Sequence, residues 1–161
     1  MENIPFLIAR RRNQQRIHGS KWLSDIEDLL RIPPGSAQLV SPEDSIPRER
    51  QLQTVLRQGS VAGTVSRTTG LSLCKATEIW DSTLADTSLQ LVVCNLLRHP
   101  DFVFTVPRPC LLGKLARLLE FDGDTVGVTS LDLMNGIVVD MYLETETARY
   151  EVDRWGEWSS Q

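Results

Sequence analysis

The stretch from Ile137 to Val152 constrains this chain more than any other, because its apolar residues fall at every second position in two adjacent runs. Ile137, Val139, Met141 and Leu143 alternate in the first run, and Ala148, Tyr150 and Val152 alternate in the second. A period of two places each set on one face of an extended strand. If Leu143 faces Ala148 across a tight loop bounded by Glu144 and Thr147, then Met141 faces Tyr150 and Val139 faces Val152. Every apolar partner then lands on one side, as a specified hairpin register requires. The opposite side carries Asp140, Tyr142 and Glu144 against Arg149, Glu151 and Asp153. Asp140 lies directly across from Glu151, a like-charge pair that costs stability. A cation–π contact between Arg149 and Tyr142 offsets part of that cost. Trp155 has the parity of the acidic side. Either the strand ends or bulges near Arg154 and Trp155 folds back onto the core, or Trp155 stays out to meet a partner. Trp158, beyond Gly156, is a core lid or an exposed anchor.

Upstream the periodicity is mostly helical. Ile4–His18 reads either as a strand feeding a basic turn or as one amphipathic helix. Ser20 is a candidate N-cap, followed by a buried stripe of Trp22, Leu23, Ile26, Leu29 and Leu30 that ends at Pro33-Pro34-Gly35. Ser41-Pro42-Glu43-Asp44 opens a second helix, continuing or restarting at Pro47 and running to Gly59. A third spans Ser72–Trp80. Phe102–Val106 is β-branched and aromatic, hence a strand. Pro109 opens a helix through Leu111, Leu112, Leu115, Leu118 and Leu119. Asp122-Gly123-Asp124 is turn chemistry, and Thr125–Thr129 is a strand. Leu89–Leu97 is apolar almost throughout and fits a buried strand or a buried helix equally. Helices first and strands later point to an α+β fold: one domain over 1–161, with helices mostly in the N-terminal half on a mainly antiparallel sheet from the C-terminal half. Residues 1–18 are expected to be a basic, loosely attached segment.

A chain of 161 residues with 41% hydrophobic and 24% charged content can bury a full core. No apolar run reaches the ~20 residues of a membrane span. MENIPFLIARRR puts its arginines after the apolar stretch, the reverse of a signal peptide, and three cysteines lack framework spacing. The expected setting is the cytoplasm, away from membranes. The net charge of −4 conceals a gradient. Residues 1–70 hold ten Lys/Arg against seven Asp/Glu, whereas residues 71–161 hold seven against fourteen. An acidic half repels nucleic-acid backbone and attracts basic proteins.

Catalytic signatures are weak. Cys110, His99 and Asp101 are neighbours along the chain, which says little about geometry. Neither metal-ligand spacing nor a glycine-rich phosphate loop occurs, so no cofactor is expected. Val65-Ser66-Arg67-Thr68-Thr69-Gly70-Leu71-Ser72, with Lys75, Ala76 and Ile79, resembles a helix-turn-helix with Gly70 at its turn. That resemblance implies a DNA-binding regulator, with Arg67, Lys75 and the Arg10–Arg16 cluster as contacts. Ser66, Leu73 and Glu78 depart from the pattern, and two packed helices explain the segment better than a DNA contact does.

In whole-chain character, compact, acidic and poor in cysteine, the sequence resembles small bacterial immunity proteins, including those of contact-dependent growth inhibition systems. The resemblance implies a non-enzymatic binding protein that blocks a basic toxin domain, typically a nuclease. Its partner-binding surface is expected on Asp140, Tyr142, Glu144, Arg149, Glu151 and Asp153, with Trp155 or Trp158 as the aromatic anchor.

Overall fold

The computed structural model describes residues 3–58, 64–85 and 88–160. Among these, α1 spans Ile4–Leu30, α2 Pro42–Gln58, α3 Leu73–Leu84 and α4 Leu115–Asp122. The strands are β1 (Gln38–Leu39), β2 (Ser66–Leu71), β3 (Leu91–Leu96), β4 (Phe104–Pro107), β5 (Thr125–Ser130), β6 (Gly136–Glu144) and β7 (Thr147–Trp155). They form one antiparallel sheet in the order β1-β4-β3-β5-β6-β7-β2. The chain is an α+β fold, its two longest helices in the N-terminal half.

Ile4–His18 is the first part of a single 27-residue helix. The Asn3 carboxamide caps it by accepting from the Phe6 N–H at 3.1 Å. Ser20, expected to begin a helix, is therefore internal. Gly19 sits inside the same helix because β1 crosses there: a Cβ would lie 2.9 Å from the Leu39 side chain. Rather than hanging loosely, the N-terminal segment is held by buried Arg11, which donates to Glu49 of α2 at 2.6 Å and lies 3.6 Å from Asp101. At the other end α1 stops at Arg31, in the left-handed conformation at φ 55°.

Ser41-Pro42 opens α2 as expected, with the Ser41 hydroxyl accepting from the Asp44 N–H at 3.3 Å. Pro47 lies inside this helix without ending it, although the ladder has already begun with the Ser45 N–H on the Ser41 carbonyl at 2.8 Å, so its missing N–H leaves the Glu43 carbonyl one backbone bond short. Gly59, its expected terminator, lies outside the described residues. The helix expected from Pro109 divides into a 3-10 turn at Arg108–Leu111 and α4. Leu89–Leu97 resolves as strand β3, buried on both faces at Val92, Val93 and Cys94.

The main core lies between one sheet face and the helices α1, α3 and α4. Trp22, Ile26, Trp80, Leu84, Leu115 and Leu118 pack there on Val92, Cys94, Val126, Val128, Ile137 and Val139. A second set of buried side chains lies outside this cluster. It includes Val93, Val138 and Trp155, which alternate onto the opposite face, and Ile46 of α2. Arg48 ties α2 to that side: its guanidinium donates to the Leu131 carbonyl at 2.6 Å and the Thr129 hydroxyl at 2.6 Å.

Candidate functional site

The β6–β7 hairpin has the register its alternation requires. Leu143 pairs with Ala148, Met141 with Tyr150 and Val139 with Val152, while Asp140 opposes Glu151. Its loop is Thr145-Glu146, with both residues at positive φ (47° and 68°), the signature of a type I′ turn made without glycine.

The acidic side of this hairpin is not a free anionic surface. β2 lies against β7, with Arg67 opposite Asp153. The Arg67 guanidinium donates to both Asp153 oxygens at 2.8 and 3.1 Å and lies 3.2 Å from Glu151. Asp153 is buried, and these carboxylates hold the Arg67 guanidinium charged well beyond the ordinary range. Asp140 accepts a short hydrogen bond from the Thr125 hydroxyl. The like-charge pair of Asp140 and Glu151 is thus relieved from the flanking strands β5 and β2, one carboxylate each. Tyr142 does not carry the expected contact with Arg149: its hydroxyl accepts from the Gly70 N–H at 2.9 Å, while Arg149 faces Glu144 at 3.8 Å.

Both tryptophans are buried, so neither is an exposed anchor. Trp155 is fully buried without folding back. β7 runs regularly through it, and its ring lies over Gly136 on the acidic face's own side, where a Cβ on Gly136 would come 2.1 Å from the ring. Its indole N–H donates to the Leu133 carbonyl at 3.0 Å. Gly156, at φ 69°, then turns the chain where any side chain would meet the Met134 carbonyl oxygen at 2.1 Å. That turn delivers Trp158 to the other face, into the main core, with the Arg108 guanidinium 4.7 Å above its ring. The two tryptophans of one tail therefore seal opposite sides of the sheet.

The helix-turn-helix reading fails structurally. Ser66–Leu71 is an edge strand, and Gly70 at φ 71° accompanies a register shift in its pairing with β7. Only the second element is helical, α3, capped by the Ser72 hydroxyl accepting from the Lys75 N–H at 3.2 Å. The arginines expected to meet DNA are engaged internally: Arg67 with Asp153, Arg11 with Glu49, and Arg12 in a close ion pair with Glu43.

The Cys110–His99–Asp101 neighbourhood has other structural duties. His99 stacks on Phe121 at 5.0 Å between centroids, and Asp101 faces Arg10 and Arg11. Burial pushes the Cys110 and Cys94 thiols upward, away from the reactive thiolate. Among the described residues no group of three His, Cys, Asp or Glu side chains could hold a metal, and no helix is long and apolar enough to cross a membrane.

What sequence reasoning missed lies at the hairpin's free end, on its apolar side. The stripe buried at Ile137 and Val139 continues past the helical layer to Met141 and Leu143, and Leu143 is 70% exposed beside exposed Ala148. Here the first turn of α3 and the length of α4 leave a cleft of about 450 Å³ lined by Leu73, Ala116, Leu119, Glu120, Gly123, Met141 and Tyr150. The available signal was α4's length: the eight residues of Leu115–Asp122 cover only about 12 Å of hairpin. Glu120 on the cleft wall and Glu146 at the turn are exposed. No protein-family model matches this chain, and no curated protein or solved structure matches it.

Proposed function

We propose that this protein is a binding module that neutralises a basic protein partner, with a nuclease toxin domain as the partner its acidic C-terminal half suits best. One observation carries the reading: the hairpin's apolar stripe outruns the helices that cover it, exposing Leu143 at the free end, next in the chain to the exposed Glu144 and Glu146. An exposed leucine alone is unremarkable, but it continues the apolar face of Ala148 and Met141 toward a cleft whose wall carries Glu120. A nuclease carries a positive groove for phosphates, and carboxylates can occupy that groove in their place. Charges at the rim then speed encounter, while apolar contact at the centre slows dissociation. Of the residues expected at the interface, Tyr142, Glu144 and Arg149 belong to this end. Asp140, Glu151 and Asp153 act within the fold, and Trp155 and Trp158 stabilise it.

The test is retention of a basic protein from the native host on the immobilised chain, followed by assay of that protein's nuclease activity with and without the chain. The expected result is inhibition that falls at least tenfold with Leu143→Lys. Glu144→Lys/Glu146→Lys should chiefly slow association and flatten its salt dependence. Failure to retain a basic protein, or inhibition indifferent to all three substitutions, rejects the proposal.

A further inference from the structure

The chain carries a cationic surface as well as an acidic one, and the cationic surface lies on α1. Phe6, Asn13 and Ile17 stand at i, i+7 and i+11, so they form one line along that helix. The line faces outward: Phe6 is 62% and Ile17 53% exposed. Exposed Arg10 and Arg16 flank it on either side. An aromatic and an isoleucine left in water between two arginines are a surface with no partner inside the fold. We infer that this stripe docks a second copy of the chain, by the end of its β6–β7 hairpin, where Leu143 and Ala148 stand beside Glu144 and Glu146.

The two surfaces match in charge. On α1, Arg16 meets the neutral Asn13 carboxamide at 2.9 Å rather than a carboxylate, and Arg10 is half exposed at 3.7 Å from Asp101. At the hairpin end, Glu146 has no ion pair among the described residues, and exposed Glu144 lies 3.8 Å from Arg149. Bringing the two together places exposed cations against exposed carboxylates around an apolar centre.

They also match in size. Phe6 and Ile17 are about 16 Å apart along the helix axis, with the shorter Asn13 between them. The hairpin end is two strands about 4.8 Å apart, closed by the two-residue turn Thr145-Glu146, with the Leu143–Ala148 pair on one side. It is narrow enough to rest on the helix between the two apolar side chains. A second copy supplies this occupant in equal number, since every chain with a cationic helix also has an acidic hairpin end. The contact is head to tail, because the two surfaces differ.

The inference goes beyond the binding-module reading and stands without it, since it concerns the purified chain alone. It also adds a form of regulation. The contact covers Leu143, so a basic partner has to displace the second copy.

The experiment is sedimentation velocity of the full chain over a concentration series. The expected result is association that weakens several-fold between about 0.05 and about 0.5 M salt, over which the screening length falls roughly threefold. Phe6→Ser and Leu143→Lys, one on each surface, should each weaken association at least about tenfold. Both positions are exposed, and circular dichroism checks that the variants fold. Arg16→Glu and Glu146→Lys should each weaken association several-fold when alone. Mixing the two variant chains should restore it, because the reversed charges then meet across the contact. Methyl signals of Ile17 and Leu143 should move together on dilution.

A chain that stays monomeric at about 1 mM overturns the inference. Association indifferent to Phe6→Ser and Leu143→Lys, or a mixture no stronger than its components, overturns it too, by placing the contact elsewhere. Failure here and failure of the module reading are distinguishable. A self-associating chain that retains no basic protein keeps this contact and rejects the module. A monomeric chain that inhibits a nuclease does the reverse.

Discussion

Replacing Trp155 with alanine decides whether that side chain belongs to the fold or to a partner. The ring is fully buried, lies on Gly136, and donates to the Leu133 carbonyl at 3.0 Å. A tryptophan buries roughly 150–250 Å², which at ~25 cal/mol per Å² is about 4–6 kcal/mol as an upper bound. Partial collapse of the cavity lowers this, while the orphaned Leu133 carbonyl adds about 1 kcal/mol, so the expected loss is about 4 kcal/mol. With a urea dependence of about 2–3 kcal/mol per M, the unfolding midpoint should fall by about 1.5–2 M. Far-UV circular dichroism is the right probe, since the substitution itself changes tryptophan fluorescence. Gly136→Ala tests the same contact from the other side and should cost about 2 kcal/mol by overpacking. Because the added methyl collides with that one ring, the two substitutions should not add: the double variant should be at least about 1 kcal/mol more stable than the sum of the singles implies. A Trp155→Ala loss below about 1 kcal/mol, or strict additivity with Gly136→Ala, would refute the burial argument. Lost partner binding at unchanged stability would return Trp155 to the interface.

Two further outcomes follow from the hairpin. Arg67→Ala leaves the buried Asp153 without its cation and should destabilise the protein by about 2 kcal/mol in urea titration, below the ~3–5 kcal/mol of a fully buried pair because Arg67 is half exposed. Adding Asp153→Asn should recover part of that loss; no recovery would mean that Arg67 acts through packing alone. Thr145→Asn with Glu146→Gly supplies residues that accept the left-handed turn and should gain about 1 kcal/mol, raising Tm by about 2–4 °C. An unchanged or lower Tm would show that the turn is not strained.

The parts of the fold legible in advance share one property, that the information is local. The hairpin register, the Ser41-Pro42 helix start and the Ser72 cap each depend on residues within a few positions of one another. Trp155 shows local information left unused. The same register that pairs Leu143 with Ala148 pairs Gly136 with Trp155, and glycine in a strand marks close approach of another group. Counting onward along the hairpin would have placed the ring over a bare backbone. Gly19-Ser20 misled for the opposite reason. A glycine before a capping residue reads as a helix boundary, yet Leu39, far along the chain, requires the glycine within a continuous helix.

Charge was the least legible property, because a sequence counts carboxylates without saying which cations reach them. Asp140, Glu151 and Asp153 look like a free acidic face until β2, some eighty residues away, brings in Arg67. The Arg67 segment looks like a DNA-binding turn until the sheet needs an edge strand. The sequence by itself determined the α+β class, the alternation of β6 and β7 and hence which side chains share a face. Only the tertiary structure decided which face is covered, because coverage depends on where α4 packs along the hairpin, how β2 docks and where the tail beyond Gly156 comes to rest. Those are long-range events, and they bury two tryptophans while leaving Leu143 exposed at the hairpin's free end.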